Sequence, residues 1–367
     1  MLFELIRVAI GVQDCLSHSP TADEWGKLYE MAKKQSLVGV CFAGVQKLVD
    51  SESGNYCGMN ELQYLTWMGM AAKIQQRNET VNRQCVELQA KLSADGFRTY
   101  IMKGQGVGAL YGSLSLLRQS GDIDVYMEGG LEKVLAYART FGQTTKVNEL
   151  EMHVEVFPDT EVEFHYRPFI MRSPRRNMRL QEFFELKKYE CMANRLALPN
   201  GAGEIVAPTI EYNLVHLLVH TYHHLFTEGV GLRQLMDYYF VLRALQKCDN
   251  IDIVKENVKS VVHDLELDKF ASALMWVLHH VFGLGMIGVP WTPNQRDGEF
   301  LLKEIMLSGN FGKQDERQKG LYDSKWNSFW MVNGKAFRLA RFDRWMWFWG
   351  PLWRMYHFAW RKLKGFE

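Results

Sequence analysis

Residues 100–127, YIMKGQGVGALYGSLSLLRQSGDIDVYM, decide the fold of this chain. They predict a short apolar strand, a Lys-Gly junction, an amphipathic helix, a turn that carries Arg118 and a second strand over residues 123–127. Asp122 and Asp124 are two positions apart, so their side chains point to one face of that strand. A helix that opens with glycine has free backbone N–H groups that suit an anion. The stretch therefore predicts cation-binding carboxylates beside an anion-binding helix start.

The composition limits the class of protein. The chain has 367 residues, of which 47% are hydrophobic, and this length indicates about two to three domains. The net charge of +1 gives no overall attraction for a long nucleic acid. The six cysteines are scattered without a Cys-x-x-Cys pair, which indicates neither a zinc site nor a disulfide framework. This pattern fits a reduced, cytoplasmic compartment.

The N-terminal sequence predicts a helix of the mature protein. Residues 1–15, MLFELIRVAIGVQDC, lack a basic segment followed by a long apolar stretch and a small-residue cleavage site. No run in the sequence reaches the roughly 18 apolar residues that a membrane-spanning helix needs. We therefore expect a cytoplasmic protein.

The pattern along the chain divides it into three regions. Residues 1–95 are predicted to be helical, with a capping box at Thr21–Glu24 and a long helix that ends at Asp95-Gly96. Residues 96–200 alternate strands with helices, and residues 201–367 return to helix. The strands are predicted over residues 97–102, 123–127, 145–147, 153–157 and 161–166. This order predicts an α+β fold, in which helical N- and C-terminal regions flank a small mixed sheet.

Carboxylates on two strands form the candidate catalytic centre. Asp122 and Asp124 can bind one or two hard divalent cations through oxygen. Two such ions, roughly 3.5–4 Å apart, activate an attacking oxygen and stabilise a leaving phosphate. A third carboxylate from a neighbouring strand would complete the set, and Glu161 and Glu163 share one face of a later strand. Alone, an Asp-x-Asp pair is a weak motif, because such pairs also cap turns.

Lys103, Gly104 and Arg118 are the candidate phosphate ligands. The ammonium group of Lys103 and the N–H groups after it could hold a triphosphate, and the guanidinium of Arg118 could add a bidentate contact. Each residue by itself is typical of an ordinary surface charge or a turn. Their order along the chain, between a strand and the Asp-x-Asp strand, favours a single site to which all three residues contribute.

These motifs resemble the nucleotidyltransferase superfamily, whose best-known member is DNA polymerase beta. Within it, the chain most resembles a bacterial group of uncharacterised nucleotidyltransferases. The similarity covers residues 97–170, and it extends more loosely to residues 229–242 in the helical flank. The matching motifs are Lys103-Gly104, Arg118, Asp122-Ile-Asp124 and Glu163-Phe-His165.

The resemblance implies the reaction and the roles in the site. Asp122 and Asp124 would bind Mg²⁺ or Mn²⁺, and Glu163 would be a third ligand or a general base. A nucleoside triphosphate, which we expect to be ATP, would lose pyrophosphate as its nucleotidyl group passes to an acceptor hydroxyl. The acceptor could be a small hydroxylated molecule, a protein side chain or an RNA end, and the overall charge disfavours a long nucleic acid.

The chain departs from the superfamily after the glycine. Most members carry Gly-Ser, whereas Gln105 follows Gly104 here, and Lys103 is the expected substitute for the serine. His165 would contact phosphate or orient a ligand. The missing serine also motivates an alternative from another class, a non-catalytic nucleotide-binding or partner-binding module with the same fold.

Two features of residues 201–245 have both structural and functional interpretations. The spacing of His216, His220, His223 and His224 can bind a metal, but it is more typical of histidines at an interface between domains. One or two of them could face the nucleotide cleft. Arg233 and Asp237 are four residues apart and predict an ion pair along a helix, which could also brace the helical region against the core.

The basic, tryptophan-rich tail over residues 335–367 has three interpretations. It could lie peripherally at an anionic membrane surface, as in a protein of envelope or polysaccharide assembly. It could stack on bases, or it could pack its aromatic residues onto the α/β core, which is the favoured interpretation. Gly350-Pro351 predicts a break into two short helices.

Overall fold

A computed structural model of the chain describes residues 1–51, 57–142, 146–312 and 333–366. Its N-terminal part is helical, as the sequence predicts. Thr21 and Glu24 form the predicted capping box, and Gly96 takes the expected left-handed conformation after the long helix, with φ +82°. The helices are α1 (Leu2–Ala9), α2 (Ala22–Lys34), α3 (Val38–Ser51) and α4 (Glu61–Ala94).

The central part is a five-stranded mixed sheet. Its strand order is β1-β2-β5-β4-β3, in which β2 and β5 are parallel and the other neighbours are antiparallel. The strand predicted over residues 123–127 is present with those ends, and the other predicted strands are present with shifted ends; residue 145 lies outside the described residues. The elements are β1 (Thr99–Met102), α5 (Lys103–Gly108), a 3₁₀ helix (Ala109–Leu117), β2 (Ile123–Met127), α6 (Gly130–Ala138), β3 (Lys146–Val147), β4 (Glu151–Val154) and β5 (Val162–His165).

The single helix predicted after Lys103 is wrong. The chain forms the short α5 and then a 3₁₀ helix, because Gly104 (φ +26°, ψ −114°) and Gly112 (φ +60°, ψ −124°) leave the helical region. Gly106 is needed for close packing, since a Cβ atom there would lie 2.3 Å from the carbonyl oxygen of Ile101. The glycines thus fold the chain tightly against β1 instead of extending one helix.

The C-terminal part is helical, with one small hairpin. The predicted boundary at residue 200 lies between the two strands of that hairpin. The elements are α7 (Pro174–Ala193), β6 (Arg195–Ala197), β7 (Glu204–Val206), α8 (Ile210–Phe226), α9 (Leu232–Leu245), α10 (Ile251–Asp264), α11 (Asp268–Phe282), α12 (Gln295–Ser308) and α13 (Met346–Lys364), with a further helical segment over residues 333–338.

The predicted break at Gly350-Pro351 is wrong, because α13 continues through Pro351. A residue before proline normally avoids helix since its Cβ and N–H groups clash with the proline ring. Gly350 has no Cβ atom, which removes part of that clash, and Pro351 lies near the helix start, where it costs one hydrogen bond. Among the described residues, no helix combines the length and apolarity needed to cross a membrane.

The sheet separates an apolar face from a polar one. Alternate residues such as Ile123, Val125 and Phe164 are buried in a cluster with apolar side chains of α4 and α6. The residues between them, including Asp124 and Glu163, point to the opposite face, because side chains alternate along a strand. Packing of the apolar alternates on α4 and α6 thus directs the acidic residues toward the other face of the sheet.

Two glycines in helices test the packing of the N-terminal region. A Cβ atom on Gly39 in α3 would lie 2.4 Å from the carbonyl oxygen of Leu117, whereas one on Gly69 in α4 would meet no atom within 4 Å. We expect Gly39→Ala to lower the free energy of unfolding by about 1–3 kcal/mol through overpacking. Gly69→Ala is the matched control and should raise it by roughly 0.5–1 kcal/mol through helix propensity. Urea unfolding measures both, and equal effects would contradict the close approach of α3 to the 3₁₀ helix.

Candidate active site

The polar face of the sheet brings the predicted acids together. Strand register places Asp124 beside Glu163, and Glu163 beside His153 on β4. One step along the strands, His165 lies beside Glu151. Carboxylates and imidazoles from three adjacent strands therefore share one surface, which only the pairing of β2, β5 and β4 creates.

Asp124 is the centre of this group. Its Oδ1 atom accepts a hydrogen bond from Lys103 Nζ at 2.7 Å and lies 3.0 Å from His165 Nε2. The same imidazole nitrogen is 3.2 Å from Glu151 Oε2 and 3.4 Å from Glu163 Oε2. Asp124 and His165 are buried, and Lys103 is only slightly exposed. Two cationic side chains thus balance three carboxylates in this site.

Burial and charge compete in setting the protonation of the group. Burial would raise the pKa of Asp124, but Lys103 and His165 outweigh it and hold that pKa well below its usual range. Burial would lower the pKa of His165, but the neighbouring carboxylates, led by Glu151, raise it to about 10. Burial raises the pKa of Glu163 to about 7, although the hydrogen bond from His165 opposes this. Asp124 is therefore anionic and His165 cationic at neutral pH.

Asp122 lies apart from the cluster, at the rim of the cavity that the cluster lines. It is exposed, and the charge of Asp124 is the largest cause that raises its pKa. Donor atoms of Asp124, Glu163 and His165 lie within 4.8 Å of one another, and so do those of Glu151, His153 and Glu163. The carboxylates of these sets, rather than the protonated His165, fit the oxygen preference of Mg²⁺ or Mn²⁺.

Lys103 and Gly104 form the sharp turn after β1 and line the same cavity. Both have positive φ angles, +46° and +26°, and this turn carries the lysine ammonium to Asp124. Gln105 points elsewhere: it is buried and its Nε2 atom donates to Asn82 Oδ1 at 2.6 Å and Asn78 Oδ1 at 3.2 Å. Gln105 therefore anchors the turn to α4 and takes no place in the cavity lining.

Arg118 binds Asp237 rather than standing free. Its Nε and Nη2 atoms donate to Asp237 Oδ1 and Oδ2, both at 2.7 Å, and the Tyr111 hydroxyl donates to Oδ1 at 2.6 Å. Nη1 of Arg118 has no hydrogen-bond partner among the described residues, and the side chain lines the cavity. The ion pair predicted between Arg233 and Asp237 is wrong, because Asp237 pairs across to the core. Arg233 instead donates to the Gln119 carbonyl oxygen at 2.8 Å, so both residues contact the core.

Three of the four histidines of α8 line one wall of the cavity. Burial lowers the pKa of His216 to about 3 and places those of His220 and His223 well below the usual range. His220 Nε2 and His224 Nε2 are 3.0 Å apart, and no metal-ligating group of three histidines forms within the described ranges. His220, His223 and His224 line the cavity, one more than the one or two histidines that the sequence led us to expect there.

Sequence reasoning missed Glu151, and it missed that the tail enters the cavity, although packing of the tail on the core was the favoured interpretation. Glu151-Met-His153 repeats the acid-x-His pattern of Glu163-Phe-His165, and this repetition on a strand was the available signal. The cavity, of about 500 Å³, also includes Trp353 and His357 of α13. Nothing in the local sequence of the tail indicated this, because it depends on how α13 returns to the core.

Asp124 on β2 thus lies beside Glu163 on the parallel neighbour β5, and Asp122 just precedes β2. A family model described as uncharacterised nucleotidyltransferase matches residues 21–283, which is most of the chain. The chain belongs to that family. No curated protein and no solved structure matches it.

The buried Arg118–Asp237 pair should be essential for stability. Removing one partner leaves an uncompensated buried charge, so we expect Asp237→Ala to lower the free energy of unfolding by about 3–5 kcal/mol. The double variant Arg118→Met/Asp237→Leu should recover most of this loss, because it removes both charges together. Guanidinium unfolding of the single and double variants gives the comparison. A single variant as stable as the wild type would contradict a structural role for the pair.

Proposed function

We propose that this chain transfers a nucleoside monophosphate from a nucleoside triphosphate, with ATP the expected donor, to a hydroxyl group of a small molecule or protein. The observation that carries the proposal is the close grouping of Asp124, Glu163 and Lys103 in one cavity. Paired carboxylates with an adjacent ammonium suit a cation-bound triphosphate. The family membership supports nucleotidyl transfer as the reaction class.

Asp122, Asp124 and Glu163 would hold Mg²⁺ or Mn²⁺. The bound cation would supply Lewis-acid stabilisation of the charge that develops on the phosphate oxygens. Lys103 and His165 now supply positive charge beside Asp124, which supports a cation at this position. Asp122, at the cavity rim, would complete the carboxylate set from its position two residues before Asp124.

The remaining predicted residues would hold the triphosphate. Lys103 and the backbone at Gly104 would contact its phosphates, and Arg118 would contribute Nη1. His165 would keep the carboxylates oriented through its hydrogen bond with Asp124. The acceptor oxygen forms a bond to the α-phosphorus as the bond from that phosphorus to the β-bridging oxygen breaks. Pyrophosphate leaves with the electron pair, and Glu163 would accept the acceptor proton if it acts as the base.

Removal of the two aspartates should strongly weaken nucleotide binding. We expect Asp122→Ala/Asp124→Ala to weaken binding of ATP·Mg²⁺ by at least about 100-fold, because two charged ligands of the cation are lost. Isothermal titration calorimetry measures this. Glu155→Gln is the matched control, since Glu155 is an exposed carboxylate outside the main cavity. Unchanged binding in the double variant would overturn the proposed site.

Product formation distinguishes nucleotidyl transfer from the alternative of a non-catalytic nucleotide-binding module. A nucleotide-binding module would bind ATP·Mg²⁺ but release no pyrophosphate with any acceptor. A screen of nucleotides against small-molecule and protein acceptors, with pyrophosphate as the readout, decides between them. Pyrophosphate release that disappears in Asp124→Asn would support transfer.

A peripheral membrane contact through residues 335–367 is a second candidate function. Along α13, an exposed apolar stripe follows helical spacing and consists of Leu352, Met355, Tyr356 and Leu363. Arg361, Lys362 and Lys364 lie at the end of the same helix. Apolar side chains beside basic residues suit the interface of an anionic membrane.

This contact predicts binding to vesicles. We expect the wild-type chain to sediment with phosphatidylserine-containing liposomes more than with neutral ones, because both apolar burial and charge contribute. Met355→Ser/Leu363→Ser should reduce sedimentation by about tenfold, as two buried anchors are lost. Ile287→Ser is the control, since Ile287 is an exposed apolar residue in a different part of the chain. Equal sedimentation of all three chains would remove membrane contact.

A further inference from the structure

Arg172 is a partly buried arginine whose Nε atom is fully buried, and it faces the cavity with no acidic partner among the described residues. It follows β5 in the chain and lines the same cavity as Asp124 and Glu163. Its one hydrogen bond among the described residues runs from Nη1 to the sulfur of Met346 at 3.6 Å, and Nε has none. An unpaired buried charge is costly. An arginine without an acidic partner does not stabilise the fold at this position. The position is therefore suited to an anionic ligand that binds in the cavity.

The surroundings of Arg172 add further positive charge and an aromatic surface, but no acidic partner among the described residues. Burial, followed by the nearby charge of Arg354, lowers the pKa of Arg172 to about 10. A Cβ atom on Gly350 would lie 3.3 Å from Arg172 Nη1, so the glycine lets α13 approach closely. The guanidinium carbon lies 5.5 Å from the centre of the Trp353 ring, and the Trp353 and His357 rings are stacked 5.0 Å apart at 8°. The cation therefore lies beside a flat aromatic surface in the cavity lining.

The order of strands separates this region from the proposed triphosphate contacts. Lys103 follows β1, at one edge of the sheet. Glu149, which also lines the cavity, precedes β4 on the other side of the β2–β5 pair. Burial raises the pKa of Glu149, and the charge of Arg167 and a hydrogen bond from Trp353 oppose this. The carboxylate centre on β2 and β5 lies between these two sides. A phosphate chain at Lys103 and an anion at Arg172 can therefore be bound together.

We propose that Arg172, with the stacked Trp353 and His357, forms an acceptor subsite that binds an anionic group, a phosphate or a carboxylate, of the molecule that receives the nucleotidyl group. This inference rests on the proposed function, because it assigns the second substrate of the same cavity. The anion would neutralise Arg172, and the Trp353 ring would cover an adjacent flat or apolar part of the acceptor.

Inorganic phosphate and acetate are the probes of this subsite. Each is titrated calorimetrically into the full chain, with and without a non-hydrolysable ATP analogue and Mg²⁺. We expect one of them to bind in both conditions with affinities within about twofold, because the two subsites are separate. A preference for phosphate identifies a phosphorylated acceptor, and a preference for acetate identifies a carboxylate acceptor.

Variants of Arg172 identify the ligand-binding group. Arg172→Gln should weaken binding of the anion by about tenfold or more, since a charge-assisted contact is lost, and Arg172→Lys should restore part of it. Binding of the ATP analogue should stay unchanged in both. Arg175→Gln is the matched control, because Arg175 is an exposed arginine three positions along the chain. Arg172→Gln should melt at the wild-type temperature or above, as an uncompensated buried charge is removed.

Several outcomes would overturn the subsite. These are failure of both anions to bind the wild-type chain, equal binding by Arg172→Gln, displacement of the anion by the ATP analogue, or a lower melting temperature for both Arg172 variants. Displacement would mean that Arg172 binds the phosphates of the nucleotide itself. Failure of the proposed function would appear as absent binding of the ATP analogue to the wild type. The titration without nucleotide would still measure binding of the anion at Arg172, so the two failures are distinguishable.

Discussion

The buried negative charge of Asp124 is the constraint on which the site depends. A carboxylate removed from water must be paired and hydrogen-bonded. Lys103 and His165 meet this requirement, and His165 in turn needs Glu151 and Glu163 around it. The positive φ angles at the turn after β1 follow from this, since that turn brings the ammonium to the carboxylate. The unusual backbone angles of Lys103 and Gly104 thus serve to pair the buried charge of Asp124.

A second buried pair fixes the helical region to this centre. Arg118 leaves the core beside the Asp-x-Asp strand and binds Asp237 of α9 bidentately, and Tyr111 adds a third hydrogen bond. Close by, Asn78 of α4 donates to the carbonyl oxygen of Arg118 at 2.7 Å. The segment between the 3₁₀ helix and β2 is therefore held by helices that are distant in sequence. This bracing keeps one wall of the cavity at a set distance from the acids.

The tail joins the cavity to the surface of the molecule. One side of α13 contributes Trp353 and His357 to the cavity, whereas Met355, Tyr356 and Leu363 are exposed on another side. Asp343, just before α13, accepts hydrogen bonds from Arg176 Nη1 at 2.6 Å and from the Tyr222 hydroxyl at 2.5 Å. These buried contacts attach the tail to α7 and α8, so a partner that binds its exposed side would act next to the proposed acceptor subsite.

The sequence by itself determined the α+β class and the strand that carries Asp124, because the period of two and the positions of glycines are local properties. The division into three regions stays a prediction, and Asp122 lies just before that strand. The sequence also predicted that Glu163 lies near Asp124. Tertiary structure alone decided that Glu151 lies beside these two acids, that Arg118 is buried in an ion pair with Asp237, and that Trp353 lines the cavity. Those contacts join residues more than ten positions apart, and many surfaces of the fold could have received each side chain. Only the pairing of strands and the burial of charge select one of them.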